Sequence, residues 1–415
     1  MKYIGVRFTW KCWNIIVPRN GPGNKVMNVP MPFVAATRAF LSSTNASIRF
    51  YRAPARVNII GEHTDYNDGF VLPVATNLHS WLGLTPRQDR IIEIHSGNVN
   101  ETESFSLDEL QPRSDVDWID YVKGVAAMLE RNGLRLRGAN ILIDSEIPLG
   151  AGLSSSASLE VIVARALLDL ANLSLPAADL ARLCKQAEHE FAHVRCGIMD
   201  QYTIACARRD FAILLDCRSL EATEVPISND IAFVITDSGV RHRLPDGDYN
   251  SRGSECAAAV EKLRAFDAAV ETLRDVTPDM LTKAEATLGD VLFRRCRHII
   301  NENDRVQQVV DALEQEDVVR IGAMLTACHA SLRDDYEVSC EEIDTLVETA
   351  NGCDGVLGSR MVGGGFGGCV LSVTTSTYAE RVRMQIGERF AKVAGVMPWQ
   401  HIVEPADAVQ EVLSP

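Results

Sequence analysis

The chain has 415 residues, with 41 Lys and Arg against 56 Asp and Glu, a net charge of −15. That acidic balance excludes a general nucleic-acid or anionic-membrane binder, so any phosphate the protein handles must be held by a local site. The 46% apolar and 23% charged composition is that of an ordinary globular chain long enough for two or three domains, and no run approaches the roughly 18 apolar residues of a membrane-spanning helix.

The predicted elements follow in chain order. Residues 1–26 read as an N-terminal extension around Trp10, Trp13 and a loop-like Asn20-Gly-Pro-Gly, with Met27 and Met31 as alternative starts. Strand-like runs follow at 48–51, 57–60, 70–74 and 91–95, rich in β-branched and aromatic residues. A helix is predicted over 119–131 and a strand over 139–144. The stripe Leu159, Ile162, Val163, Ala166, Leu167 and Leu170 has a helical period, and a second helix is expected over 178–193. Strands at 211–215 and 232–236 precede a mostly helical half, with helices at 251–266, 301–314, 318–330 and 340–350. A glycine loop at 363–368, a strand at 369–373 and a helix at 378–391 complete the pattern. The fold class is α+β, with an N-terminal domain over 27–222 and a C-terminal domain over 223–415.

The 11 cysteines are odd in number, scattered from Cys12 to Cys369, and never spaced as CxxC. A disulfide framework and a structural zinc site are both disfavoured, and the expected setting is the reducing cytoplasm.

Four segments carry candidate chemistry. Residues 52–73 pack Arg56, Glu62, His63, Thr64, Asp65 and Asp68 between apolar strand residues. Asn67-Asp-Gly alone is a turn signal. Four consecutive hydrogen-bonding side chains at 62–65, however, suit a polyol, whose hydroxyls need donors and acceptors. Residues 148–158, PLGAGLSSSAS, place glycines after a strand and serines at a helix start. Glycines admit an anion close to the backbone, and the helix start offers unpaired N–H groups. No Walker lysine follows. Gly363, Gly365 and Gly368 match GxGxxG but open a strand rather than a helix, so they predict a loop lying close to another backbone or a ligand. His189-Glu-Phe-Ala-His193 matches the zinc-hydrolase HExxH pattern. Its extended continuation is missing, with Cys196 where that motif has glycine, and the zinc reading is set aside.

In this order, GEHTDYNDG, PLGAGLSSSAS, CGIMDQ and GGGFGG resemble the galactokinase family of the GHMP small-molecule kinase superfamily. The connecting segments at 214–221, 331–340 and 357–361 are similar too. The resemblance covers about residues 31–400 and leaves out the extension. It implies a two-lobed α+β fold with the site in the cleft between lobes, and ATP-dependent phosphorylation of the anomeric hydroxyl of galactose. It implies Asp200 as the base and Arg56 as the arginine beside the reacting oxygens. Glu62, His63, Thr64, Asp65, Gly197 and Tyr249 take sugar-binding positions. Gly150, Ala151, Gly152, Leu153, Ser154, Ser155 and Ser156 form the triphosphate loop, and Ser96 falls at a nucleotide contact. Ser156 and Glu188 match magnesium ligands. Galactose and ATP are the expected partners of a cytoplasmic monomer. Ala55 departs from the family pattern, which has glycine there, and is expected to be tolerated. The alternatives are a kinase for N-acetylgalactosamine and a non-catalytic galactose and ATP sensor. Against the sensor, the serine loop is intact and Asp200 is present.

Overall fold

The computed structural model describes residues 29–41, 46–241 and 247–413, with the side chains of 247–249 outside the description. The predicted extension at 1–26 lies outside the described residues.

The first half runs α1 (Met31–Phe40), β1 (Arg49–Asn58), β2 (Phe70–Val71), β3 (Pro73–Pro86), β4 (Ile91–Ser96) and β5 (Glu101–Ser106). It continues through α2 (Trp118–Arg131), β6 (Ala139–Ser145), α3 (Ser155–Leu170), α4 (Ala177–Ala187), α5 (Met199–Cys206), β7 (Phe211–Asp216) and β8 (Ala222–Pro226). The second half runs β9 (Ile231–Arg241), α6 (Gly247–Leu263), α7 (Pro278–Leu288), α8 (Asp290–Glu314), α9 (Val318–Asp334) and α10 (Glu341–Asn351). It ends with β10 (Gly358–Met361), β11 (Gly367–Thr375), α11 (Ala379–Ala394), β12 (Gln400–Ile402) and β13 (Gln410–Val412).

A six-stranded sheet is ordered β13-β1-β3-β6-β4-β5. Its long strands β1 and β3 are buried along almost their whole length, and β4 alternates between core and half-exposed positions as a one-face-buried strand should. Helices α2 to α5 cover it, burying Val122, Val163, Leu167 and Phe191 against Ile94 and Ile143. Helix α2 starts where Asp117 and Asp120 form a reciprocal capping box. A second core gathers around the four-stranded sheet β10-β11-β9-β12, where Ile235, Leu371 and Val373 meet Leu325, Leu346 and Ile386 from α9, α10 and α11. A third sheet, β2-β7-β8, is antiparallel throughout.

The structure adds α1, β5, α5, β8, β12 and β13, which carried no sequence prediction, and departs from the reading in two larger features. The helix expected over 178–193 is α-helical only to Ala187; Glu188–Ala192 form a π turn that ends at a left-handed His193. Helix α7 and the first part of α8, residues 278–300, carried no sequence prediction. Helix α7 buries only the short apolar set Leu281, Ala284 and Leu288, and the first part of α8 interrupts its buried face with Arg295 and His298.

Candidate active site

Strand β1 carries Arg56 into the middle of the molecule. Its pairing with β3 slips between Pro54 and Ala55, an irregularity of the bulge kind. Ala55 is fully buried and is not among the residues with positive φ, so its methyl meets no backbone conflict. Arg56 grips Asp200, in the first turn of α5, with both arms of its fork: Nε to Oδ1 at 2.8 Å and Nη2 to Oδ2 at 2.7 Å. Such two-pronged, charge-assisted contacts fix orientation as well as position. The third arm, Nη1, donates to the Gly152 carbonyl at 2.6 Å, and Ser154 Oγ donates to Asp200 Oδ2 at 2.5 Å. One carboxylate therefore ties together β1, α5 and the serine loop.

That loop leaves β6 and opens α3 through Ser154, whose backbone is left-handed at φ 61°. The first N–H groups of α3 point out of the helix with the positive end of its dipole. Ala151 and Leu153 bury their side chains and contribute only backbone to the loop. Beneath it lies the glycine loop of the other half. Gly152 (φ +78°) and Gly363 (φ +80°) face each other so closely that a Cβ on Gly363 would sit 3.1 Å from the Gly152 Cα. The glycine loop thus approaches another backbone, as its sequence predicts. Arg241, at the end of β9, donates to the Leu149 carbonyl at 2.9 Å and braces the loop from the same side.

Glu188 sits in the π turn, buried, facing the start of α3. Its Oε1 accepts from Ser156 Oγ at 3.3 Å, and its Oε2 accepts from Gln201 Nε2 at 2.7 Å and Cys196 Sγ at 3.2 Å. Burial raises its pKa, opposed by the hydrogen bond from Cys196. Burial and the nearby Glu188 hold Glu160, on α3, well above the carboxylate range. Ser156 Oγ and Glu188 Oε1 are neighbouring hard oxygens on the cavity wall, a donor set that fits magnesium shared with phosphate and water.

The polar loop after β1 is held from the second half. Glu62 Oε1 pairs with the wholly buried Arg360 at 2.7 Å and accepts from the Gly363 N–H at 3.0 Å. Arg360 also donates to the carbonyls of Asn58 and Ile59. Glu302 on α8 accepts the Gly61 and Glu62 N–H groups at 2.9 and 3.2 Å. His63 Nδ1 meets the Tyr66 hydroxyl at 2.8 Å, and burial lowers its pKa to about 3, so the ring is neutral. Asp65 is pushed up to about 7, first by burial and then by the charge of Asp200. Gly197 makes room for it: a Cβ there would lie 1.8 Å from Asp65 Oδ2.

Arg56, Glu62, His63, Asp65, Ser156 and Asp200 line one cavity of about 310 Å³ with Gly150, Gly152, Ser154, Ser155 and Glu188. The structure does not bring Thr64, Ser96, Ala151, Leu153 or Gly197 onto its wall. Thr64 is buried and shares its hydroxyl between the carbonyls of Gly61 and Phe70 at 2.8 and 2.6 Å, bracing the loop. Ser96 ends β4, paired between Ile143 and Glu101. The Tyr249 side chain lies outside the described residues. Sequence reasoning gave no role on the wall to His193, Val194, Cys196, Met199 or Asn250, nor to Gln201, Arg360 and Glu302 behind it. Arg360 left one signal, a single cation in a short, fully buried strand without other charge. The HExxH residues are engaged apart. His189 Nε2 meets the Cys196 carbonyl at 2.8 Å, His193 Nε2 the Arg113 carbonyl at 3.4 Å, and Glu190 pairs with Arg131 at the surface.

A serine-rich helix start facing an arginine-gripped aspartate across a glycine-lined cleft defines the GHMP kinase class. The model for the GHMP kinases N terminal domain matches residues 120–208 and that for the GHMP kinases C terminal domain residues 309–392. The galactokinase galactose-binding signature matches residues 38–86. A galactokinase of Roseiflexus sp. (strain RS-1) is 41% identical over 87% of this chain and 92% of its own. That of Chloroflexus aggregans is 45% identical over 78% and 83%. The crystal structure of Lactococcus lactis galactokinase complexed with galactose superposes with a TM-score of 0.86 at 33% identity, covering 91% of this chain and 99% of that one. A mevalonate kinase, at 16% identity and a TM-score of 0.63, shares the fold. The chain belongs to the galactokinase family.

Proposed function

We propose that the protein transfers the γ-phosphate of ATP to the anomeric hydroxyl of α-galactose, releasing ADP and galactose 1-phosphate. The observation that carries this reading is the Arg56–Asp200–Ser154 cluster at the N-terminus of α3, where a hydroxyl and a triphosphate can meet. Phosphoryl transfer asks for alignment and charge neutralisation more than for covalent chemistry.

In this reading the backbone of 150–156 and the first turn of α3 receive the triphosphate. Ser156 and Glu188 hold a magnesium ion, which neutralises phosphate charge when bound. Glu62, His63 and Asp65 form the wall that takes the sugar, Gly197 leaves Asp65 its room, and Tyr249 serves the same sugar. The neutral His63 offers one donor or acceptor and no charge. Asp200 accepts the proton of the attacking hydroxyl, and Arg56 keeps that carboxylate aimed and balances charge on the transferring group. The enzyme acts as a monomer in the cytoplasm, and the chain divides into domains near residue 222.

The test is Asp200→Asn. Asparagine keeps the size but takes no proton and gives Arg56 no negative partner. The folded variant is expected to bind ATP within a few-fold of wild type and to lose about 10²–10⁴ in kcat. Activity within a few-fold of wild type removes Asp200 from the catalytic role.

A further inference from the structure

We propose that Gln201 is a positioning residue for metal binding, clamping the inner oxygen of Glu188 so that the outer one stays paired with Ser156. The inference rests on the reading of Glu188 as a magnesium ligand. Gln201 is wholly buried, one residue after Asp200 on α5. Its Nε2 donates to Glu188 Oε2 at 2.7 Å and to Glu160 Oε2 at 3.0 Å. Both N–H bonds of the amide are thereby committed to the two carboxyl groups. Glu160 is itself wholly buried and lies one helical turn after Ser156, on the same face of α3.

The Glu188 carboxyl is therefore bracketed from two elements. Ser156 meets Oε1 on the cavity side, and the amide, tethered to Glu160, holds Oε2 on the core side. A carboxyl on a π turn rotates about its last torsion unless something fixes it, and the amide at 2.7 Å, with the Cys196 thiol at 3.2 Å on the same oxygen, supplies that restraint. Groups that orient a metal ligand in this way commonly change metal affinity by about 10–100-fold when removed.

The experiment compares Gln201→Leu, Glu160→Leu and Glu188→Gln with wild type. Binding of Mn²⁺ with a non-hydrolysable ATP analogue is measured by electron paramagnetic resonance, beside the magnesium half-saturation and the galactose KM of turnover. Gln201→Leu is expected to weaken Mn²⁺ binding and raise the magnesium half-saturation, each about ten-fold or more, with the galactose KM within about two-fold. Glu160→Leu keeps the amide but removes its tether, and shifts both metal readouts a few-fold in the same direction. It carries the test alone if Gln201→Leu does not fold. Wild-type metal affinity in folded Gln201→Leu or Glu160→Leu, while Glu188→Gln shifts it, overturns the clamp and leaves Glu188 as the ligand. Unchanged metal affinity in Glu188→Gln overturns the ligand reading and the clamp with it.

Discussion

Asp65 holds a proton that the unfolded chain gives up. Its folded pKa of about 7 stands above the unfolded value of 3.8, because burial and the charge of Asp200 both disfavour the anion. Between these two values the folded state binds more protons, so this contribution to stability is present at low pH and lost as pH rises through 7. Asp65→Asn, which cannot titrate, removes the dependence. Thermal melts of the ligand-free protein from pH 5 to pH 8 are expected to show wild type losing ground against the variant up to about pH 7 and then levelling off. Parallel curves would mean that Asp65 ionises normally. Glu302 titrates in the opposite sense: although burial opposes it, Arg305 and His298 hold it down at about 2, so it is ionised under all ordinary conditions and accepts the two loop N–H groups as an anion.

At the scale of elements, the serine loop rests on the glycine loop backbone to backbone, and both need left-handed residues to do so. An alanine at Gly363 pays about 1–2 kcal/mol for its positive φ and presses on the Gly152 Cα. Gly363→Ala is expected to lower stability by that amount in chemical denaturation and to raise the KM for ATP more than that for galactose. Equal effects on the two substrates would show that the loop does not rest on this contact. The two loops were legible separately, because glycine and serine runs mark turns and helix starts. Their contact was not, since positions 152 and 363 share no local pattern. The same limit hid Arg360 and Gln201, polar residues whose partners lie far along the chain. The π turn hid as well: residues 178–193 keep a helical pattern, and the extra residue in the turn comes from tertiary packing. By contrast Arg56, Glu62 and Asp65 stood out in sequence because a charged run between apolar strand residues needs a reason, whereas Asp200 was marked only by the resemblance carried by CGIMDQ.

At the scale of the whole molecule, the last strand returns to the first. Strand β13 pairs with β1 from Arg52↔Gln410 to Phe50↔Val412, and Arg49 meets Glu411 at 2.7 Å. The approach to β13 is sewn down by backbone bonds from Ala406 to Ala75, Ala408 to Ala207 and Val409 to Ile204. Each such bond contributes about 1 kcal/mol net, so together they weigh heavily against a typical stability of about 5–15 kcal/mol. Deleting residues 404–415 is expected to lower the denaturation midpoint markedly and to reduce kcat, because β1 carries Arg56 and α5 carries Asp200. A truncated protein with the wild-type midpoint would show the return strand to be dispensable. The pairing also sets a timetable for the newborn chain. Arg49 and its partner are 362 residues apart. At about 5–20 residues per second, a ribosome needs roughly 20–70 s to supply the second neighbour of β1. Throughout that interval the strand bearing the arginine is an open edge, the kind of surface that invites pairing with another nascent chain. During synthesis the protein is thus open to misassembly along the strand on which its proposed chemistry depends.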